Sequence, residues 1–156
     1  AELSDREAIT DLMAEYVHLI DEDRLEEWVD LFVDDCSYKI LSRENVEAGF
    51  PLELLSCHNK HMLRDRILSL REANLYNLHS DKHVLGAVQV LDESSGTWSV
   101  KANFAVYQSN LEGETDLFGV GTYRDQIVFN EGRPLFKEKI VVNDTFAVAR
   151  MLSTPI

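Results

Sequence analysis

The first part of the chain repeats apolar residues at the spacing of an α-helix. The positions that would share one face of this helix are Ile9, Leu12, Met13, Tyr16, Val17 and Ile20. Such a period is typical of an amphipathic helix that packs one face on a core. Ser4 followed three residues later by Glu7 is a capping box, which satisfies two free amide donors at a helix start. The pattern therefore predicts a helix over residues 5–20.

The next segment predicts a second helix and then a first strand. An acidic break at residues 21–23 precedes the apolar stripe of this helix, which consists of Leu25, Trp28, Val29 and Phe32. Residues 34–35 would end the helix, and residues 36–40 would form the strand. The pattern then weakens, and residues 47–51 predict a loop.

A third helix is predicted from His61 onwards, and a polar connector follows it. Leu63, Ile67 and Leu70 recur at i, i+4 and i+7 along one helix face. His79 and His83 lie in the connector, immediately before the apolar run of residues 84–88. This stretch therefore separates a helical N-terminal part from the remainder of the chain.

Beyond His83 the sequence predicts four long strands. They cover residues 83–91, 97–110, 115–130 and 135–148, and turn residues separate them. Short turns make successive strands antiparallel neighbours. Gly119 and Gly121 interrupt the third strand, and glycine at such a place often marks a bulge or a bend. Strands of this length must therefore curl.

The order of these elements predicts an α+β fold. Helices grouped on one side of a mostly antiparallel, curved sheet would form a cone-shaped roll, with the sheet wrapped on three N-terminal helices. A chain of 156 residues suits one core, so we expect a single domain over residues 1–156.

Composition narrows the class of partner. The net charge of −13 argues against nucleic acid and anionic membranes, because both require a positive surface. No apolar run reaches the length of a membrane-spanning helix, and no secretory leader precedes the first helix. We therefore expect a cytoplasmic protein in which Cys36 and Cys57 remain unpaired thiols.

Candidate catalytic residues are few. Phosphate-binding, dinucleotide-binding and nucleophile-elbow motifs are missing from the sequence. Asp21, at the end of the first helix, could act as a base inside a cone, with His79 or His83 as its acid–base partner. The alternative is that Asp21 caps the second helix and that each imidazole is bonded to backbone or carboxylate. We favour no catalytic residue in this chain.

Metal binding is also not favoured. His58 and His61 lie three residues apart at the foot of the third helix, and His79 and His83 lie four residues apart. Either pair could ligate a metal, but further ligands at suitable spacing are lacking. The sequence therefore predicts no metal site.

Three arginines on the third helix indicate a docking surface. Arg64, Arg66 and Arg71 stand out in so acidic a chain, and they could clamp a partner's carboxylates or pair with neighbouring acids. Arginine is enriched in the cores of protein interfaces. We therefore predict an interface formed by Arg64, Arg66, Arg71, Tyr76, His79 and His83.

Several of these runs resemble a known family. Residues 25–28 and 31–38 are similar to the opening of the small (β) subunits of Rieske-type aromatic-ring-hydroxylating oxygenases. Residues 62–67, followed by Leu70, Arg71, Tyr76, His79 and His83, resemble the most recognisable motif of these subunits. Residues 43–45, 49–51 and 70–76 are similar to the group that acts on aromatic acids such as salicylate, terephthalate or benzoate.

The resemblance implies a complete functional picture. The fold would be the cone shared by nuclear-transport-factor-like and ketosteroid-isomerase-like proteins. The chain would stabilise an α3β3 hexamer, with β–β contacts within a trimer. The large (α) subunit would carry a [2Fe–2S] Rieske cluster and a mononuclear Fe(II). Electrons would arrive from a reductase, in some systems through a ferredoxin.

Two alternatives to this function remain open on the sequence. One is a free-standing dehydratase or isomerase of the cone fold that uses Asp21 with His79 or His83. The other is a homo-oligomeric module that binds a small aromatic ligand. An open polar pocket that reaches Asp21 would favour the enzyme, and a closed apolar core would favour the subunit.

Overall fold

The computed structural model describes residues 4–49, 53–73, 79–144 and 156. Its elements are α1 Asp5–Asp21, α2 Leu25–Val29, β1 Phe32–Ser42, α3 Arg43–Ala48, β2 Leu55–Cys57, α4 Lys60–Ala73, β3 His79–Ser94, β4 Thr97–Asn110, β5 Thr115–Asn130 and β6 Arg133–Asn143. The Ser4 hydroxyl accepts a hydrogen bond from the Glu7 amide at 3.2 Å, so α1 begins where the capping residue predicted.

The strands form one mixed sheet that packs against α1. Their order is β2-β1-β6-β5-β4-β3. Neighbouring strands are antiparallel except for β1 and β6, which are parallel. Strand β1 lies near the start of the chain and β6 is the last described strand. Their parallel pairing therefore joins the N-terminal part of the chain to the end of the sheet. The predicted α+β cone with a mostly antiparallel sheet is confirmed.

The second helix is shorter than predicted. It ends at Val29, and Phe32 already belongs to β1 rather than to a helical stripe. The cause is tertiary, because Phe32 is in register with Phe136 on β6 and their rings lie 5.3 Å apart. The Phe136 amide also donates to the Leu31 carbonyl at 2.8 Å. These contacts favour an extended chain over one more helical turn.

Two further boundaries differ from the sequence prediction. Helix α3 follows β1 directly and includes the first two residues of the loop expected at residues 47–51; Ser42 caps this helix by accepting from the Asn45 amide, and strand β2 comes after it. The expected connector at residues 79–83 is the start of β3, where His79 is in register with Asn110. The last predicted strand covered residues 135–148; the observed strand β6 begins earlier, at Arg133, and ends at Asn143, and residues 145–148 lie outside the described residues.

Bulges and one glycine bend the sheet into its cone. The β4–β5 register shifts between Val106 and Tyr107, beside Gly119, as the glycine pattern predicted. A Cβ atom at Gly121 would lie 2.3 Å from the Val142 carbonyl oxygen and 2.8 Å from the Phe104 ring. Only glycine therefore allows the strands and the Phe104 ring to approach this closely.

The concave face of the sheet and α1 enclose an aromatic core. The largest side chains buried there are Trp28, Tyr16, Tyr38, Tyr123, Phe32 and Phe136. The Tyr16 ring lies 5.4 Å from Tyr123 and 5.5 Å from Phe136, in edge-on contacts that add to simple apolar burial. Tyr16 therefore holds α1 to the sheet.

Candidate functional site

Asp21 and His83 meet at the edge of the cone interior. The Asp21 carboxylate lies 2.6 Å from Nδ1 of His83, and it also accepts the His83 backbone amide at 2.8 Å. The last residue of α1 is thereby joined to β3 across 62 positions of sequence. Asp21 does not cap α2, whose N-cap position is Arg24. The structure therefore brings together two of the three catalytic candidates.

This pair is closed off from solvent. The His83 side chain is 1% exposed and the Asp21 side chain 7% exposed. Nε2 of His83 has no hydrogen-bond partner among the described residues. Neither of two surface hollows reaches the pair: one lies between α1 and the β5–β6 turn, and the other lies beside Arg124 on the sheet. The geometry resembles an acid–base dyad, but a substrate has no path to it through these hollows.

The third catalytic candidate cannot be placed in the same way. His79 begins β3, but its side chain lies outside the described part of the structure. Tyr76, predicted as an interface residue, also lies outside the described residues. Their predicted roles stay predictions.

Arg71 joins α4 to the turn between α1 and α2. Its Nε donates to a Glu26 carboxylate oxygen at 2.9 Å, and Nη1 donates to the Asp23 carboxylate at 2.7 Å. Nη2 donates to the Asp23 carbonyl at 2.7 Å. The Arg71 guanidinium lowers the pKa of the Glu26 carboxyl. Arg71 therefore fixes the position of α4 within the chain.

The remaining outer surface of α4 mixes charge with apolar side chains. The side chain of Arg64 is 58% exposed and lies 3.7 Å from Asp30. One turn further along the helix, Leu68 is 57% exposed, and Met62 is also exposed. Arg66 is half-buried on the same helix. An exposed leucine beside arginine and methionine is typical of a protein interface.

Two histidine pairs were considered as metal ligands, and the described residues form no metal cluster with either of them. No group of three or more metal-ligating side chains occurs within the described residues. His61 contacts Asp65 at 3.4 Å on the open face of α4, and His58 lies 3.4 Å from Ser56. Cys36 and Cys57 are buried and free, and burial raises the pKa of the Cys36 thiol to about 11.

One feature of the interior was missed at the sequence level. Lys139 on β6 is fully buried, and its ammonium nitrogen lies 2.9 Å from the Asp125 carboxylate. The same nitrogen lies 3.9 Å from the centres of the Tyr16 and Tyr123 rings. Burial lowers the pKa of Lys139 and raises the pKa of Asp125 to about 6. The core therefore contains an ion pair surrounded by aromatic rings.

Known proteins are similar to this chain in both architecture and sequence. The SnoaL-like domain family matches residues 1–138. The small subunit of anthranilate 1,2-dioxygenase from Burkholderia cepacia is 36% identical over 93% of this chain and 90% of that protein. The chain belongs to the small (β) subunits of aromatic-ring dioxygenases. The family that the α4 motif and the opening residues indicated is thus confirmed.

Other members of the small-subunit family agree. The β1 subunit of the terminal oxygenase component of terephthalate 1,2-dioxygenase from Comamonas sp. is 30% identical over 92% of this chain and 93% of that protein. A crystal structure assigned to the β subunits of aromatic-ring-hydroxylating dioxygenases, from Novosphingobium aromaticivorans, superposes with a TM-score of 0.87. It is 38% identical and covers 96% of this chain and 95% of that one.

Membership in the small-subunit family has two consequences. The chain is a subunit of an oxidoreductase complex, as predicted, and a large oxygenase subunit is implied as its partner.

None of the described helices is both long and apolar enough to cross a membrane.

Proposed function

We propose that this chain is the structural small subunit of an α3β3 oxygenase that acts on an aromatic carboxylic acid. The observation that carries the proposal is the match to the anthranilate dioxygenase small subunit over 93% of the chain. The partner large subunit would hold the [2Fe–2S] Rieske cluster and the mononuclear Fe(II). A reductase, with or without a ferredoxin, would supply its electrons, and the complex would reside in the cytoplasm.

Helix α4 supports a surface for assembly. Its Arg64 and Leu68 side chains are exposed one helical turn apart. The bonds from Arg71 to Asp23 and Glu26, which we call the Arg71 clamp, hold the helix to the α1–α2 turn. A pre-ordered helix loses little further freedom on binding, so more of its contact energy remains as affinity. Arg64, Arg66 and Leu68 would contact another subunit, whereas Arg71 would act by orienting α4.

Co-expression with candidate large subunits tests this function. The purified unaltered chain should carry the large subunit, and the mass of the complex should correspond to three copies of each. An Arg64→Ala, Leu68→Ser double variant should lose most of the co-purified large subunit while its urea unfolding midpoint stays near that of the unaltered chain. Arg133→Ala changes an exposed arginine on the β5–β6 turn and is the matched control.

Two results would contradict the proposal. A complex of full mass with the double variant would remove α4 from the interface. Absence of a complex with every candidate large subunit, together with dehydratase or isomerase activity of the chain alone, would favour the free-standing enzyme.

That second function has one observation in its favour, the contact between Asp21 and His83. A carboxylate that orients an imidazole is a common acid–base arrangement. The closed position of both side chains weighs against it, because a substrate must reach the imidazole. Assays of the purified chain with and without Asp21→Asn would detect such an activity.

We also propose that residues 1–156 fold as one unit. Support comes from a hydrophobic core that contains residues from α1, α2, α4 and five of the six strands. A single cooperative transition by both fluorescence and circular dichroism is expected. Two separate transitions would contradict it.

A further inference from the structure

The outer face of the sheet carries two adjacent cations. Lys101 on β4 is in register with Arg124 on β5, and both residues are exposed, whereas their neighbours Val100 and Asp125 are buried. Neither cation forms an ion pair with a described residue. Like charges that lie directly opposite each other in a sheet destabilise it. A carboxylate from outside the described part of the chain would relieve this repulsion.

The two cations line a hollow that also has apolar walls. The hollow has a volume of about 230 Å³, and Leu91 in its wall is 51% exposed. Glu138 contributes one carboxylate, and the Asp125 carboxylate is paired with buried Lys139, so the two cations leave an excess of positive charge. We call this surface the sheet hollow and define it by Leu91, Lys101, Arg124, Glu138 and Ile140.

The turn between β4 and β5 has the complementary character. Leu111 is 80% exposed, more than any other large hydrophobic side chain among the described residues. Glu112 and Glu114 follow it, and both are exposed and form no ion pair within the described part of the chain. This turn, which we call the acidic tip (residues 111–114), therefore presents a leucine beside two unpaired carboxylates.

Asn110 holds the acidic tip in one conformation. Its side-chain oxygen accepts hydrogen bonds from the amides of Glu112 and Glu114, both at 3.0 Å. Its backbone carbonyl accepts from the Gly113 amide at 3.1 Å, and Gly113 has a φ of +86°, which glycine adopts without strain. An ordered tip loses little further freedom on binding, so more of its contact energy remains as affinity.

The acidic tip cannot reach the sheet hollow of its own chain. Leu111 follows Lys101 by ten positions, and Lys101 to Asn110 belong to one extended strand. At about 3.3 Å per residue, the tip and the hollow lie about 30 Å apart. A contact between them therefore requires two copies of the chain.

We propose that the acidic tip of one copy of this chain docks into the sheet hollow of a second copy. The leucine of the tip contacts the apolar walls, and its two carboxylates pair with the two cations. A second copy is the occupant because the tip and the hollow match in both charge and apolar character. The contact is head-to-tail, and such contacts close into rings. The ring size of three rests on the proposed function, whereas the contact itself needs no large subunit.

Charge reversal tests this contact, with the mass of the purified chain measured by sedimentation equilibrium. The unaltered chain should have the mass of three copies. Lys101→Glu with Arg124→Glu should reduce the mass to one copy, and so should Glu112→Lys with Glu114→Lys. A variant with all four substitutions should regain the mass of three copies, because the charges again match in reversed order.

Two further variants separate this contact from a general effect of charge. Lys82→Glu with Arg133→Glu changes the net charge as much as the hollow variant does, but at exposed residues outside the sheet hollow. This control should keep the mass of three copies. Leu111→Ser removes the apolar part of the tip and should raise the dissociation constant of the ring about tenfold or more, as expected for burial of one leucine.

Three results would overturn the inference. They are a single-copy mass for the unaltered chain, a three-copy mass for both reversed pairs, and a single-copy mass for a folded fourfold variant. If one reversed pair does not fold, the other pair and Leu111→Ser still give the answer. Co-purification of a large subunit is measured separately. A single-copy chain that still binds a large subunit would overturn this contact alone, and a ring without any large subunit would contradict only the proposed function.

Discussion

Two of the ion-paired groups among the described residues lie in opposite surroundings. Lys139 and Asp125 are fully buried between strands, where their charges meet at 2.9 Å among aromatic rings. Arg71 binds Glu26 and Asp23 at the surface, where both acids are more than half exposed. The distances between nitrogen and oxygen are similar in the two groups, but one group is buried and the other is exposed to solvent.

That difference decides what each pair can do. Removing a buried charge from water is expensive, so the interior pair contributes little net stability while intact and becomes costly when one partner is lost. The surface pair is screened by water and salt, so it stabilises the fold only slightly. Its value lies in geometry, since a forked guanidinium fixes the position of α4 through several hydrogen bonds.

Breaking the interior pair should give the largest effect. Lys139→Met removes the ammonium and leaves the Asp125 carboxylate buried without its partner. We expect a loss of about 3–5 kcal/mol in the free energy of unfolding, measured by urea denaturation. Lys139→Met combined with Asp125→Leu should recover most of that loss, because no lone charge remains.

Lys137→Met is the matched control for this prediction. Lys137 lies on the same strand but is exposed, so its replacement should change the unfolding free energy by less than about 0.5 kcal/mol. Equal losses at both lysines would show that the buried charge is not the cause.

Asp21→Asn should have the next largest effect. The substitution keeps the shape of the side chain but removes the negative charge of the carboxylate. That carboxylate accepts a hydrogen bond from the His83 amide and contacts Nδ1 of the His83 ring. Hydrogen bonds to a charged group contribute about 1.5–3 kcal/mol, and we expect a destabilisation within that range by urea denaturation. Asp11→Asn, an exposed carboxylate on the same helix, should be nearly neutral. A neutral Asp21→Asn would mean that the contact contributes no net stability.

Arg71→Gln should change stability least. The Arg71 clamp is at the surface, so its loss should cost about 1 kcal/mol or less, again by urea denaturation. Amide hydrogen exchange along α4 should nevertheless increase, because the helix is no longer held to the α1–α2 turn. Arg133→Gln should change neither quantity. A destabilisation as large as that of Lys139→Met would contradict the contrast between the two pairs.

Acid should affect the two pairs in opposite directions. The folded-state pKa of Asp125 is raised to about 6, so its contribution to stability is present at low pH and is lost as pH rises through about 6. The folded-state pKa of Glu26 is lowered, so its contribution is present above the unfolded value and is lost as pH falls.

Urea denaturation of two variants between about pH 7 and about pH 3 measures this difference. The stability of the unaltered chain relative to Asp125→Asn should rise as pH falls through about 6, the folded-state value of Asp125. Relative to Glu26→Gln, it should fall as pH drops below about 4.5, the ordinary value of that carboxyl. If the difference in unfolding free energy changed with pH in the same way for both variants, the buried pair and the surface pair would not differ as proposed.

The elements that sequence analysis predicted well have periodic patterns of their own. Strand β4 buries alternate apolar residues, strand β5 has the bounds that its flanking turns predicted, and α1 follows its stripe and its Ser4 cap. The α4 motif indicated the family as well as a helix. Each of these signals is contained within one element, which is why the sequence alone was sufficient.

Other features depend on contacts between distant residues. A register shift between Gln126 and Ile127 places both Phe136 and Lys139 on the inner face, although they lie three residues apart. Simple alternation along β6 cannot reveal this, so the burial of Lys139 went unrecognised. The Asp21–His83 contact joins α1 to β3, and its two residues were candidates whose meeting only the fold could show.

The sequence by itself determined the fold class, the family and the long antiparallel strands, because local periodicity and short motifs carry that information. Only the tertiary structure decided the parallel pairing of β1 with β6 and the early end of α2. The same holds for the buried Lys139–Asp125 pair and for the position of Ile156 between Tyr16 and Tyr38. The physical reason is that these features are made between segments far apart in the chain. Their registers are set by bulges and by packing rather than by any one segment.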